Sequence, residues 1–350
     1  MILVTGATGH LGNVLVRELI TAGEKVRVLI RPGESLKPLQ GMLIEVIVGD
    51  ILDREAVSRA MKDVKTVFHL AGVIAIRPGM EDMMQRVNVE GARMVAEIAL
   101  ENKVERLVHV SSVHAFRREP HGVVINENTP LALDGPGGSY DRTKAEGTKA
   151  VLEFVNKGLN AVIACPSGII GSHDYLGSEM GKTLRSFSRN RMSILIDGAF
   201  DFVDVRDVAR GLILARDKGL SGEIYILSGS QITIEKLHHL VSEASGKKTR
   251  TMKVPVKLAL FVVSSIQGFF AWLKIKSYYT VYSLQTIVDN SLFSSQKAWR
   301  DLGYRPRPLA EAVADFLSWQ QLQQKKLQPV LKRKKVVARK AKPAKTSSGC

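Results

Sequence analysis

A chain of 350 residues, 45% hydrophobic and 24% charged, has the composition of a globular protein with room for one large α/β unit or two modest domains. Its two cysteines, Cys165 and Cys350, rule out a disulfide framework and match no zinc-site spacing, so a reducing, cytoplasmic setting is expected. Ten of the sixteen excess positive charges lie in residues 325–350, which hold no acid; the remainder carries only +6, which argues against a nucleic-acid-binding body.

The N-terminus, MILVTGATGHLG, opens straight into an apolar run and a glycine turn, and no secretory signal is expected. Ile2–Thr5 reads as a strand, and Asn13–Ala22 has helical spacing at Val14, Leu15, Glu18 and Leu19. Val26–Ile30, Ile44–Val48, Thr66–Leu70, Arg106–Val110 and Ala161–Ala164 are further strand-like runs. Helical stretches at Asp53–Lys62, Glu81–Asn102 and Tyr140–Lys157 separate them. Apolar strands alternating with helices predict a doubly wound parallel α/β sheet, covered on both faces, over residues 1–171.

From residue 172 to 324 the alternation loosens. Helices are predicted over Val205–Asp217, Ile234–Ser245 and, after Pro306 and Pro308, Ala310–Gln320, with a strand at Glu223–Leu227. This half reads as a smaller substrate lobe with segments returning to the main sheet. Leu258–Leu273 is apolar but interrupted by Ser264, Ser265, Gln267 and Gly268; it is too short for a spanning helix, leaving a buried or substrate-covering helix or peripheral membrane contact. Residues 325–350 predict a disordered basic tail.

Three constellations carry chemistry. In Thr5-Gly6-Ala7-Thr8-Gly9-His10-Leu11-Gly12, Gly6 permits a tight turn, Gly9 admits a pyrophosphate close to the backbone, and Gly12 lets the helix pack near the strand. With a strand before and a helix after, this points to a dinucleotide. The second predicted strand ends at Arg31, with no acid between Lys25 and Gly33. A guanidinium there suits a 2′-phosphate and favours NADP(H), with NAD(H) the alternative; a solvated strand-end charge is the plainer reading. Asp50 is suited to accept from an adenine amino group or to cap the next helix. Third, Tyr140 and Lys144 share one helical face, and a neighbouring ammonium lowers a phenol's pKa. Ser111-Ser112 ends a strand about thirty residues upstream.

In order along the chain, the glycine motif, Asp50, His69-Leu70-Ala71-Gly72, Asn88, Ser111-Ser112, Tyr140-x-x-x-Lys144, Cys165–Gly171 and Phe202–Ala209 resemble extended short-chain dehydrogenases/reductases of the NAD-dependent epimerase/dehydratase superfamily. Ser294–Ala298 and Leu302–Pro306 extend the match. Within the family the chain looks most like the dihydroflavonol-4-reductase-like and 3β-hydroxysteroid-dehydrogenase-like branch. The resemblance implies Tyr140 as proton donor or acceptor, Lys144 as its electrostatic partner and ribose ligand, and Ser112 as the group on the substrate oxygen. Asn88 would belong to the site, although a buried structural amide is an equal reading. Cofactor contacts would come from Gly6, Thr8, Gly9, His10, Leu11, Gly12, Arg31, Asp50, Ile51, Ala71, Ser111, Tyr140, Lys144, Pro166, Gly168 and Ile169. His10 and His69 read as supporting or packing residues, and His114, His121 and His173 show no metal-ligand pattern, so no metal is expected. Sugar-nucleotide dehydratases of this family carry Asp-Glu where this chain has Val113 and His114, which disfavours water elimination.

The expectation is an NADP(H)-dependent oxidoreductase moving a hydride between nicotinamide and a carbonyl or secondary alcohol. The alternatives are a nucleotide-sugar epimerase with retained NAD, for which Lys182, Arg185, Arg189 and Arg191 offer phosphate partners, and a non-catalytic NAD(P)-binding regulatory or scaffold protein. The apolar stretch hints at a bulky or lipid-like small-molecule substrate. For the tail, passive solvation, attraction to an anionic membrane and nonspecific nucleic-acid contact stay open; membrane attraction is the preferred function and nucleic acid the least favoured. A homodimer is compatible with all of these readings.

Overall fold

The computed structural model describes residues 1–74, 79–134, 137–190, 192–247, 249–259 and 286–340, the last fifteen as backbone. Ile2–Thr5 forms β1, buried along its length, and the chain turns at Gly6 into α1 (His10–Thr21). The alternation continues through β2 (Val26–Ile30), β3 (Glu45–Val48), α2 (Arg54–Met61), β4 (Thr66–His69), α3 (Glu81–Met84), α4 (Gly91–Glu101), β5 (Arg106–Val110), α5 (Ser139–Val155) and β6 (Ala161–Pro166). Then come β7 (Gly168–Ile170), α6 (Glu179–Arg189), β8 (Met192–Ile196), β9 (Ala199–Asp204), α7 (Val205–Lys218) and β10 (Ile224–Leu227). The described elements end with β11 (Ser230–Thr233), α8 (Ile234–Ser245), β12 (Arg250–Val254), α9 (Gln296–Leu302) and α10 (Leu309–Lys340).

Seven strands pair in parallel in the order β10-β6-β5-β4-β1-β2-β3. Along the strands inside the β3 edge alternate residues enter two different cores. Val4, Val28 and Val108 pack with α1 and α7, whereas Leu3, Leu29 and Leu107 pack with α2, α4 and α5. Burial on both faces is why these segments are almost continuously apolar. Strand order reverses about β1, flanked by β2 and β4, so a crevice opens at the carboxyl ends of β1 and β4, where such sheets take their ligands.

The remaining strands form a three-stranded sheet, β11-β9-β7, and a pair, β12-β8. Leu184, Phe187, Leu237, Val241, Leu309, Val313 and Phe316 gather α6, α8 and α10 into a separate core against them.

Two elements differ from expectation. The single helix read over Glu81–Asn102 is interrupted by a π-helical turn at Gln85–Glu90. There α5 comes so close that a side-chain carbon on Gly147 would lie 2.2 Å from the Asn88 carbonyl oxygen, and the turn widens to receive it. The last helix does not end near Gln320: it runs to Lys340, so residues 325–340 are helical rather than disordered. Lys, Arg, Gln and Leu are strong helix formers, and this local preference outweighs the loss of apolar periodicity and the presence of Pro329. Residues 341–350, and the part of Leu258–Leu273 beyond Ala259, lie outside the described residues. No helix among the described residues is long and apolar enough to cross a membrane.

Candidate active site

At the crevice, Gly6 has φ +68°, a conformation that glycine adopts without strain, and a side chain there would strike the Ala71 backbone at 2.7 Å. A side chain on Gly12 would lie 2.1 Å from the Gly6 carbonyl oxygen. These two glycines therefore let β1, the turn and α1 close on one another, with the helix's first N–H groups at the carboxyl edge of the sheet. Gly9 immediately precedes α1. Such a cradle fits the diphosphate of a dinucleotide.

At the other end of the crevice, β5 and α5 bring Ser112, Tyr140 and Lys144 together. Ser112 caps a short turn, accepting from the His114 N–H at 3.2 Å, and hydrogen-bonds through its side chain with Tyr140. Ser111 points elsewhere, at 2.6 Å from the Thr148 hydroxyl, and so anchors α5. Lys144 is buried and donates to the Val110 carbonyl at 2.9 Å. A side chain on Gly72 would come within 3.8 Å of its ammonium, which places the β4–α3 loop beside the lysine.

The pKa logic differs from the sequence expectation that the ammonium lowers the phenol. Burial dominates and pushes Tyr140 up to about 12, opposed in part by the Ser112 hydrogen bond, while burial also brings Lys144 down to about 8. At neutral pH the phenol therefore holds its proton, the state in which it donates to a carbonyl oxygen. Behind Lys144 lies a buried polar row across the sheet: Thr5 Oγ1 is 2.8 Å from His69 Nδ1, and His69 stacks on His109 at 5.3 Å. Burial, reinforced by the lysine charge, lowers His69 to about 3 and keeps it neutral.

Arg31 directly follows β2 with its side chain 61% exposed, but it does not stand alone: Glu34 Oε2 lies 3.5 Å from its Nε, and the other Glu34 oxygen accepts from the Thr8 hydroxyl. Sequence reasoning stopped one residue short of this acid. Its signal was a carboxylate three residues beyond a strand-end arginine, in reach of the glycine loop. Asp50 accepts from the Leu52 N–H at 3.0 Å, and Asp53, not Asp50, caps α2. Ile51 is buried under Gly91.

The other predicted residues divide. Asn88 is spent internally: its amide exchanges two hydrogen bonds with the Val73 backbone at 2.8 and 3.0 Å and donates to Thr143 at 3.2 Å. It clamps the β4–α3 loop to α5 between Tyr140 and Lys144, so it positions the pair rather than meeting a substrate. The His10 ring, 2.8 Å from the Ser172 carbonyl, ties α1 to the segment after β7, leaving only its backbone for a phosphate. Leu11 packs on the core, and the Ala71 N–H donates to Thr5 at 3.2 Å. Pro166 closes β6, while Gly168 and Ile169 open β7, where a side chain on Gly168 would meet the Asp201 carbonyl at 2.9 Å.

Residues 2–228 match the model of the NAD dependent epimerase/dehydratase family. The chain belongs to that family. Like its relatives, this epimerase/dehydratase-family chain is an NAD(P)-dependent oxidoreductase of the extended short-chain type. It is 35% identical to sterol demethylase protein B of Methylococcus capsulatus over 91% of this chain and 97% of that one. It is 28% identical to a 3 beta-hydroxysteroid dehydrogenase/Delta 5-->4-isomerase of Mycobacterium tuberculosis over 87% and 86%. Among solved structures, gox2253 superposes with a TM-score of 0.81 at 32% identity, covering 92% of this chain and 98% of that one.

Proposed function

We propose that the protein reduces a ketone, or oxidises the corresponding secondary alcohol, on a bulky apolar substrate of sterol-like character, with NADP(H) as hydride carrier. The observation that carries this is the Ser112–Tyr140–Lys144 group at the carboxyl edge of the sheet, at the far end of the crevice from the glycine cradle. When bound, the nicotinamide supplies or takes the hydride. Ser112 and Tyr140 hold the substrate oxygen, Tyr140 donates the proton as the carbonyl is reduced, and Lys144 holds a positive charge beneath the developing alkoxide.

Support for the substrate class comes from the wall beside Tyr140. Phe200 stacks on His114 at 5.9 Å and meets Phe293 edge-on at 6.3 Å, with Phe202 backing it from the core at 5.6 Å. An aromatic wall suits fused hydrocarbon rings better than a sugar diphosphate. The relatives named for sterols and hydroxysteroids favour the same class. Arg31 supports NADP(H), since a 2′-phosphate outbids the single Glu34 carboxylate for a guanidinium.

The test is a saturated 3-ketosteroid offered with NADPH and with NADH, comparing wild type with Tyr140→Phe. Wild type should turn over with NADPH preferred, and the variant should keep its cofactor affinity while losing about 10²–10⁴-fold in rate. A variant within threefold of wild type removes Tyr140 from the chemistry, and an NADH preference removes Arg31 as a phosphate reader.

A further inference from the structure

Behind the carboxyl end of β6 lies a buried carboxylate that the proton and hydride transfers leave unused. Asp201, on β9, is 2% exposed, and its Oδ1 accepts from both the Ser167 hydroxyl and the Gly229 N–H, the latter at 2.8 Å. Both donors are neutral. Among the described residues no cation lies within ion-pairing distance of Asp201, whereas Asp204 and Asp207 take Arg206 and Arg307. The other elements packed around it add little charge. β7 and β11 carry no ionisable side chain, and burial keeps the Tyr304 phenol protonated. From α7 and the chain entering α10 come only the carboxylates and guanidiniums already paired with one another. Burial raises Asp201 to about 6, so it is charged at neutral pH. An asparagine would keep both hydrogen bonds through its amide oxygen and avoid enclosing a charge. The two bonds therefore do not account for the charge.

Its place in the fold offers another reason. Ser167 lies between Pro166, which ends β6, and Gly168, which opens β7 against β9. β6 neighbours β5 in the sheet, so this segment stands beside Ser112. A nicotinamide has to lie there if its hydride and the Tyr140 proton are to reach one carbonyl. The oxidised and reduced rings differ by one positive charge, and a negative charge enclosed nearby favours the cation. We infer that Asp201 is the counter-charge of the oxidised nicotinamide: from behind the Ser167 segment its carboxylate makes the site prefer NADP+ over NADPH, and so eases the departure of hydride toward the carbonyl. It acts through its field and not by contact. The inference rests on the dinucleotide reading of the crevice.

The experiment measures Kd for NADP+ and for NADPH by calorimetry, in wild type and Asp201→Asn, from pH 5 to 7, with melting temperatures alongside. In wild type the ratio Kd(NADP+)/Kd(NADPH) should rise at least about fivefold as pH falls and Asp201 takes up its proton, as expected of one charge acting across several ångströms of protein. The 2′-phosphate titrates in the same range but is common to both forms and cancels from the ratio. In the variant the ratio should stay at the acid value of wild type throughout, because the amide takes both hydrogen bonds and carries no charge. A purely structural Asp201 would weaken both forms together and leave the ratio where it was. A ratio that is flat with pH in wild type overturns the inference with no variant needed, and so does a folded variant with the wild-type ratio at pH 7. NAD+ and NADH are titrated in parallel. Tighter binding of that pair corrects the choice of cofactor and leaves the ratio test intact, whereas binding of no dinucleotide removes the reading of the crevice and this inference with it.

Discussion

Lys144 and Tyr140 show what burial does to a pair whose spacing alone is legible. Desolvation moves the two in opposite directions, the ammonium down to about 8 and the phenol up to about 12. Between these values only the lysine titrates: it is charged below about pH 8 and neutral above. Ketone reduction is therefore expected to fall with rising pH about a midpoint near 8, read as kcat/KM across pH 6–10. In Lys144→Arg the guanidinium stays charged throughout, so the rate should be lower but the descent should vanish. An unchanged midpoint in that variant would assign the titration elsewhere. The sequence made this pair visible because a four-residue spacing on a helix fixes a shared face. It did not make the sign of the tyrosine shift visible, because burial is a property of the packed helix and not of the pentapeptide. Glu34 and Asp201 escaped notice for a related reason. A carboxylate's partner is set by tertiary approach, and a local motif names only one side of it.

At the scale of elements, β2 and β5 coincide with their predicted ranges because both faces are buried and the runs are plainly apolar. β8 and β12 were missed. β12, Arg-Thr-Met-Lys-Val, is mostly exposed, and its pairing with β8 supplies an order that its composition does not advertise. The Phe202–Ala209 motif has a structural role. Asp204 caps α7 and pairs with Arg206, while Asp207 takes Arg307 through two nitrogens at 2.8 and 2.9 Å and accepts its backbone N–H at 2.8 Å. That cluster clasps the start of α7 to the chain entering α10. Removing the guanidinium leaves two enclosed carboxylates short of a partner, so Arg307→Ala should cost about 2–3 kcal/mol. The exposed pair Arg300–Asp301 serves as control, and Arg300→Ala should leave the midpoint unchanged. Urea denaturation of both variants checks this; equal midpoints would mean that the clasp contributes nothing.

For the whole molecule, the basic terminus is the feature that composition described best and conformation worst. Since α10 continues to Lys340, the cations of residues 325–340 lie along a helix, and its 32 residues span about 48 Å. Each cation near an anionic leaflet contributes on the order of 1 kcal/mol. The full chain is therefore expected to sediment with anionic vesicles at low salt, to release at high salt, and to ignore neutral vesicles. A 1–324 truncation, which keeps the buried Phe316 and Leu317, should sediment with neither while retaining hydride transfer. Equal sedimentation of the two chains with anionic vesicles would reject the membrane role. The same helix bears on how the chain is made. β1 lies mid-sheet and both its neighbours follow within the first seventy residues, so the parallel sheet can grow outward as the chain leaves the ribosome. The core of α6 and α8 waits for Leu309, Val313 and Phe316, which arrive only when α10 has been synthesised. Until then the nascent protein holds a finished cradle beside an open apolar lobe, and a ribosome that stalls late would leave a chain able to grip a nucleotide yet dependent on chaperones.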